Sequence, residues 1–147
     1  MVKDPEIPVL TIEDMGIVQQ IEFEQNGVQI SIMPTYSGCP AMDVIAEDIK
    51  SILVLHGYTN IEVKTVLSPA WSSDFITEKG RQCLQEYGIA PPASTGSKGA
   101  MIGIDPVACP QCKSTNTKVV SEFGSTACKA LYKCVDCLEP FDYFKCV

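Results

Sequence analysis

The sequence predicts an α+β fold in two parts, a small mixed sheet with helices followed by a β-rich module. Within residues 1–90, segments that alternate apolar with polar residues are interspersed with amphipathic helical segments. The cysteines are unevenly placed, because two of the eight lie in the first hundred residues and the other six lie in the last forty. This change in composition predicts one domain over residues 1–90, a linker over 91–106 and a cysteine-rich module over 107–147.

The first part is predicted to begin with a short turn and a hairpin. Residues 11–16 form a helical turn that Thr11 caps and Gly16 ends. Residues 17–23 and 28–33 alternate apolar with polar side chains and are joined by turn-forming residues, so they predict two antiparallel strands with one buried face.

Two helices and a third strand are predicted after the hairpin. From Pro40 to Gly57, apolar residues recur at spacings of three and four, which predicts an amphipathic helix. Residues 60–66 alternate as a strand. A second helix is predicted over 77–87, with Thr77 as its cap and Gly88 as its end.

The segment after the second helix is rich in Pro, Gly and Ser and has no apolar period, which is typical of a linker. Strands are then predicted near 117–123 and 130–134, with a final aromatic-rich strand over 138–146. Each of the first two lies next to a pair of cysteines, so the module is predicted to be a ribbon built around a metal.

Two CxxC motifs, Cys109–Cys112 and Cys134–Cys137, are separated by twenty-one residues. A two-residue spacer lets both thiolates of a pair face one ion, and two such pairs complete the tetrahedral Cys₄ site typical of zinc. The same thiolates could hold iron or an iron-sulfur cluster. Cys128 and Cys146 lie outside the motifs and could be additional ligands or could fill the small core. The sequence therefore predicts a zinc ribbon in which Zn²⁺ is structural.

Cys39 lies between a predicted strand and the helix that starts at Pro40. The dipole and the unpaired N–H groups of a helix N-terminus stabilise anions, so thiolate character is expected at Cys39. A metal ligand or a nucleophile is predicted there, with an inert buried thiol as the alternative.

Charge and composition exclude several classes of function. Residues 1–106 carry six Lys/Arg against fourteen Asp/Glu, a net charge of −8, and residues 107–147 carry five against four. Neither part offers the basic surface that nucleic acid requires. No apolar run approaches the ~20 residues of a membrane span, and CxxC motifs suit a reducing compartment, so a soluble cytoplasmic protein is expected. With one histidine and no nucleophile–base pair, independent catalysis is not expected.

Several segments of the first part resemble the SufT-like iron-sulfur assembly family. They are Asp4-Pro-Glu-Ile-Pro-Val9, the Cys39-Pro40 pair at the helix start, and Ser68-Pro-Ala-Trp71 before the second helix. The family pattern has Asp-Pro-Glu near the start, Cys-Pro at a helix start and Pro-x-Trp before the last helix. The chain departs from it at Ser68, where many relatives have an acidic residue before Pro-Pro-Trp.

Nearly the whole chain, ribbon included, resembles the PaaD family, small components of the bacterial phenylacetyl-CoA epoxidase system that join a SufT-like domain to a zinc ribbon. The residues that carry this resemblance are Gly88-Ile-Ala-Pro-Pro, Phe123-Gly-Ser-Thr-Ala-Cys128 and Phe141-Asp-Tyr-Phe-Lys-Cys146. The resemblance implies a non-catalytic accessory component that aids maturation of the iron or iron-sulfur centres of an oxygenase. Its implied partners are oxygenase and reductase subunits or iron-sulfur scaffold proteins.

The resemblance also implies roles for individual residues. Cys39 would be the reactive or transient cluster-binding cysteine, and the four CxxC cysteines would be the zinc ligands. Asp4 and Glu6 could close over Cys39 or cap local turns, and Trp71 could wall the same cleft or serve packing. Two other functions remain open, a redox subunit whose C-terminal thiolates carry iron and a docking module without a reactive thiol.

Overall fold

The structure is a computed structural model that describes residues 1–25, 27–92 and 106–145. The chain divides into two compact units, Met1–Trp71 and Ser72–Val147. Each unit has its own sheet and its own buried apolar residues. The predicted α+β class is confirmed.

The first unit contains a mixed three-stranded sheet and one long helix. Strands β1 (Val18–Glu24) and β2 (Gly27–Ile32) are antiparallel, β3 (Ile61–Thr65) runs parallel to β2, and the strand order is β1-β2-β3. Helix α1 (Ala41–Leu55) connects β2 to β3. The predicted turn is present before β1, because Thr11 Oγ1 accepts a hydrogen bond from the Asp14 N–H and Gly16 has a φ of 66°.

Burial in this sheet matches the predicted alternation on β2 but not on β1. Along β2, Val28, Ile30 and Ile32 are buried on one face of the sheet. On β1, Ile21 and Phe23 remain 52% and 73% exposed. The expectation of a buried face on both strands was wrong for β1, because this strand lies at the edge of the sheet and its apolar side chains are left largely uncovered.

The second unit contains a short helix and a four-stranded sheet. A one-turn 3₁₀ helix (Ser73–Phe75) precedes α2 (Glu78–Tyr87), and Thr77 Oγ1 caps α2 by accepting from the Gly80 N–H at 3.0 Å. Gly88 ends the helix with a φ of 94°. The strands are β4 (Ile89–Ala90), β5 (Thr117–Ser121), β6 (Lys129–Cys134) and β7 (Pro140–Phe144), in the order β4-β7-β6-β5.

Helix α2 belongs to the second compact unit, whereas the predicted boundary between domains lies after it, at 91–106. Strand β4 follows α2 directly and pairs in parallel with β7, which joins this segment to the sheet of the ribbon. The Arg81 guanidinium also donates to the carbonyl of Ser73 at 2.6 Å and to that of Pro92. Residues 93–105 of the predicted linker lie outside the described residues, and the predicted boundary stays a prediction.

Candidate functional site

The four CxxC cysteines are brought together between the ends of the ribbon strands. The Sγ atoms of Cys109, Cys112, Cys134 and Cys137 all lie within 4.8 Å of one another. Sγ to Sγ distances are 3.7 Å between Cys109 and Cys137 and 3.5 Å between Cys112 and Cys134. Tetrahedral Zn–S bonds of about 2.3 Å place the sulfur atoms about 3.8 Å apart. The four thiols therefore fit a tetrahedral metal ion.

Each cysteine pair lies on a turn with the same backbone geometry. The Cys109 N–H donates to the Ser114 carbonyl at 2.9 Å, and the Cys134 N–H donates to the Glu139 carbonyl at 2.9 Å. The residue after each second cysteine has a positive φ, 64° at Lys113 and 66° at Leu138, which is uncommon for residues other than glycine. Two equivalent turns thus aim both sulfur atoms of each motif at the same point.

Backbone N–H groups and neighbouring thiols act on the acidity of these cysteines. The N–H groups of Cys137 and Asp136 donate to the Cys134 sulfur and lower the pKa of Cys134 to about 7, although burial opposes them. At Cys137, the Glu139 N–H acts to lower the pKa, but desolvation and the neighbouring thiols outweigh it and raise the pKa to about 12. A metal would therefore displace protons on binding, because metal ligands of this type are thiolates.

Asp136 links the two turns through its side chain. Its carboxylate accepts hydrogen bonds from the Ser114 hydroxyl and, at 2.8 Å, from the Asn116 amide. These bonds lower the pKa of Asp136, so the side chain is an anion at neutral pH. In addition, the Val135 N–H donates to the Asn116 carbonyl at 2.8 Å. The turn that carries the second CxxC motif is thus held against the chain segment that follows the first CxxC motif.

The centre is buried on one side and exposed on the other. Cys109 and Cys134, the first cysteine of each motif, are fully buried and pack with Ala90 and Phe141. Cys112 and Cys137 are exposed. Because protein thiols supply all four positions, the site has the composition of a structural metal centre without an open coordination position.

Cys128 lies apart from this centre. Among the described residues, the cysteines whose ligand atoms are close enough to share a metal are the four CxxC residues. The Cys128 side chain is buried and its sulfur lies 3.1 Å from the Thr126 hydroxyl. This environment favours a packing role for Cys128. Cys146, the other predicted additional ligand, lies outside the described residues.

Cys39 lies in the loop before α1 and is half-buried. Burial raises the pKa of its thiol, the Ala41 N–H and the Tyr36 side chain act in the opposite direction as donors to the sulfur, and the charges of Glu6 and Asp4 raise it further. These influences together raise the pKa of Cys39 above its usual value, and its predicted role as a metal ligand or nucleophile stays a prediction. Desolvation and two nearby carboxylates outweigh the helix N-terminus.

Of the residues predicted around Cys39, the structure brings Asp4 and Glu6 close enough to act on its pKa. Asp4 is buried, and its Oδ1 accepts from the backbone N–H groups of Glu6 and Ile7 at 2.8 and 2.9 Å. Asp4 therefore caps a local turn, and its negative charge also acts on the pKa of the Cys39 thiol. Trp71 donates through Nε1 to the Met15 carbonyl at 2.9 Å, which fixes the indole against the turn before β1.

Two residues that contact the candidate sites were missed by the sequence analysis. Tyr36 was not expected to contact Cys39, yet a turn in which the Cys39 N–H donates to the Tyr36 carbonyl brings them together. The Gly38 between them, at a φ of 81°, is the sequence signal for that turn. The other missed residue is Asp136, inside the second CxxC motif. An acidic residue at that position can accept hydrogen bonds from a neighbouring turn.

Comparison with known proteins places the chain in a family. A model described as the PaaD zinc beta ribbon domain matches residues 93–145, and one described as an iron-sulfur cluster assembly protein matches residues 1–65. A protein of Escherichia coli strain K12, described as a putative subunit of 1,2-phenylacetyl-CoA epoxidase, is 47% identical over 146 residues, which are 99% of this chain and 87% of that protein. The chain belongs to the PaaD family.

Other relatives match about half of this PaaD family member. An Fe-S protein maturation auxiliary factor of Porphyromonas gingivalis is 30% identical over 53% of the chain and 75% of that protein. Another, YitW of Bacillus subtilis, is 32% identical over 56% of the chain and 82% of that protein. A crystal structure of a domain of unknown function, DUF59, from Bacillus anthracis aligns with a TM-score of 0.53 and 29% identity, covering 56% of this chain and 80% of that one.

Within its described residues, the PaaD family member has no helix whose length and apolar character would let it cross a bilayer.

Proposed function

We propose that this chain is an accessory subunit of a multicomponent phenylacetyl-CoA epoxidase and that it aids maturation or insertion of the iron or iron-sulfur centres of that system. The observation that carries the proposal is the 47% identity to a putative subunit of such an epoxidase, which extends over 99% of the chain. Relatives that match about half of the chain and are described as Fe-S protein maturation auxiliary factors support the maturation role.

In this proposal, Cys39 is the residue that holds iron or a cluster during transfer. The Cys39 thiol is half-buried, and the carboxylates of Glu6 and Asp4 act on it electrostatically. In the absence of cargo these charges favour the protonated thiol, whereas a bound cation would favour the thiolate. A thiolate is the ligand type that holds iron-sulfur clusters, and the two carboxylates would favour a bound cation by their charge. Such a thiol stays protonated until a cation binds.

The Cys₄ centre is assigned to Zn²⁺ with a structural role. The sulfur geometry and the absence of a non-thiolate ligand in the four-cysteine cluster suit a structural zinc site, and the match to a zinc beta ribbon model agrees with it. Bound zinc would hold the two turns together and supply no redox chemistry. The cysteines would remain reduced in the cytoplasm, where the proposal places the protein.

Metal and acid-labile sulfide analysis of the full chain, purified without oxygen, tests the zinc assignment. One zinc without iron is the expected result. Iron with sulfide and a visible absorption band would instead favour the second function that four thiolates allow, a redox subunit that carries iron or an iron-sulfur cluster in the ribbon. The proposed partners are the oxygenase and reductase subunits or an iron-sulfur scaffold protein.

The transfer role is tested with Cys39→Ser in the full chain. The epoxidase components are produced with wild-type protein or with the variant, and their iron content and epoxidase activity are measured. Cys83→Ser is a matched control, because Cys83 is also half-buried and lies outside the four-cysteine cluster.

We expect Cys39→Ser to lower iron content and activity of the partners while its own zinc content and circular dichroism stay unchanged. Cys83→Ser should support maturation like the wild type. Full maturation with Cys39→Ser would contradict the proposed role of this thiol and would favour a docking role instead.

A further inference from the structure

An uncovered apolar surface lies at the edge strand of the first sheet. Its residues, called the edge patch below, are Ile21 and Phe23 on β1 and Tyr58 in the loop between α1 and β3, and the ring centroid of Tyr58 lies 6.5 Å from that of Phe23. Ile21 pairs with Ile30 on β2, and Phe23 pairs with Val28. Because directly paired residues point to the same face, the edge patch continues the apolar face of the sheet beyond its buried part.

The opposite face of β1 carries polar and acidic side chains. Gln20, Glu22 and Glu24 alternate with the apolar residues and are exposed. Residues 1–71 carry three Lys/Arg against ten Asp/Glu, a net charge of −7, whereas residues 72–147 carry eight against eight and are neutral. The whole net charge of the protein thus belongs to the unit that bears the edge patch.

Strand β1 offers backbone hydrogen-bonding groups along one edge. In the described part of the chain β1 pairs with β2 alone, and the strand order places it at the end of the sheet. An extended segment that pairs with such an edge gains main-chain hydrogen bonds, and its alternate side chains face the two sides of the sheet.

We propose that β1 is a docking edge for an extended segment of a partner protein in which apolar residues alternate with Lys or Arg. The apolar side chains of that segment cover Ile21 and Phe23. Its basic side chains lie on the other face, opposite Glu22 and Glu24, where opposite charges on paired strands are favourable. This docking is separate from the metal centre and from Cys39 and does not depend on the role proposed for either.

Charge favours a basic segment of a partner protein over a second copy of the chain as the strand that pairs with β1. Antiparallel pairing of two β1 strands would bring Glu22 and Glu24 of one copy next to those of the other, and like charges directly opposite each other are destabilising. Two first units would also bring together net charges of −7 each. A basic segment removes this repulsion and gains attraction.

The test measures binding of labelled peptides to the full-length protein at low ionic strength by fluorescence anisotropy. The probe is a short peptide that alternates valine with lysine. One control peptide has the same composition with all valines before the lysines, and another alternates valine with glutamate. The protein variants are Glu22→Lys/Glu24→Lys, Phe23→Thr, and the charge-matched control Glu47→Lys/Asp48→Lys, whose residues are exposed on α1.

We expect the alternating valine–lysine peptide to bind most tightly, and Glu22→Lys/Glu24→Lys and Phe23→Thr each to weaken it about tenfold or more. The control variant should change affinity by much less. Equal binding of the two lysine peptides, equal weakening by the control variant, or no binding at all would overturn the proposal. So would a wild-type dimer in sedimentation that Phe23→Thr dissociates, because the occupant would then be a second copy.

Discussion

At the scale of single residues, the acidity of Cys39 is set by opposed neighbours. Burial is the largest influence and raises the pKa of its thiol, whereas the Ala41 N–H and the Tyr36 side chain lower it as hydrogen-bond donors to the sulfur. The negative charges of Glu6 and Asp4 raise the pKa further, so the thiol is protonated at neutral pH. A cysteine in this environment reacts slowly with alkylating reagents, since the thiolate is the nucleophile.

Two substitutions should shift the pKa of Cys39 in opposite directions. Glu6→Gln removes a negative charge, so the pKa of Cys39 should fall and alkylation at pH 7 should become faster. Tyr36→Phe removes the donor, so the pKa should rise and alkylation should become slower. The measurement is the rate of iodoacetamide labelling of Cys39 from pH 6 to pH 10, followed by mass spectrometry of the zinc-loaded full chain. If both variants changed the rate in the same direction, a general change in exposure would explain it and the electrostatic account would be wrong.

Residue-level predictions from the sequence succeeded where spacing alone fixes geometry. The two-residue spacers of the CxxC motifs were sufficient to predict the four-sulfur cluster, because each pair shares one turn. The acidity of Cys39 was not predictable in the same way. It depends on how deeply the thiol is buried and on residues more than thirty positions earlier, and neither follows from the helix start at Pro40.

At the scale of secondary-structure elements, local patterns predicted most of the fold. The long helix, the second helix and the hairpin were confirmed, because the periodicity, caps and turn residues that predict them lie within the same short stretch of sequence as each element. Strand β4 was missed, since it is only two residues long and exists by pairing with β7 about fifty positions later. Exposure of Ile21 was missed as well, because alternation on β1 does not reveal what covers the strand.

The relative position of the two CxxC turns depends on Asp136. Asp136→Ala removes the hydrogen bonds from Ser114 and Asn116 and leaves the four sulfurs in place. We expect the affinity for zinc to fall about tenfold, because loss of an outer-shell contact loosens the arrangement of the ligands. Competition with a chromophoric chelator at constant pH measures this affinity.

Glu139→Ala is a suitable control for Asp136→Ala. Glu139 is an exposed carboxylate on the same turn, and its hydrogen bonds within that turn come from its backbone carbonyl and N–H, which the substitution retains. Both variants remove one negative charge near the same sulfurs. An equal loss of zinc affinity in the two variants would show that the lost negative charge, and not the loss of the hydrogen bonds between the two CxxC turns, causes the effect.

At the scale of the whole molecule, the two units differ in what stabilises them. The first unit buries large apolar side chains from the turn, β2 and α1, so it does not need a metal to form a core. The core around the ribbon centre is much smaller and includes two of the cysteines, Cys109 and Cys134. A small domain of this kind requires an additional cross-link, which a metal held by the four cysteines would supply.

Removal of zinc should therefore unfold the ribbon and leave the first unit folded. In such modules the free energy of metal binding is also the free energy of folding. A strong chelator should therefore abolish the folded-state amide signals of β5, β6 and β7 in NMR spectra, while those of α1 and β2 persist. Hydrogen exchange of the full chain with and without chelator measures the same difference, and added zinc should restore protection in the ribbon strands. Protection that is lost in α1 together with β6 would show that the two units unfold as one. Ribbon strands that stay protected without metal would show that Ala90 and Phe141, together with the link through Asp136, stabilise the ribbon sufficiently by themselves.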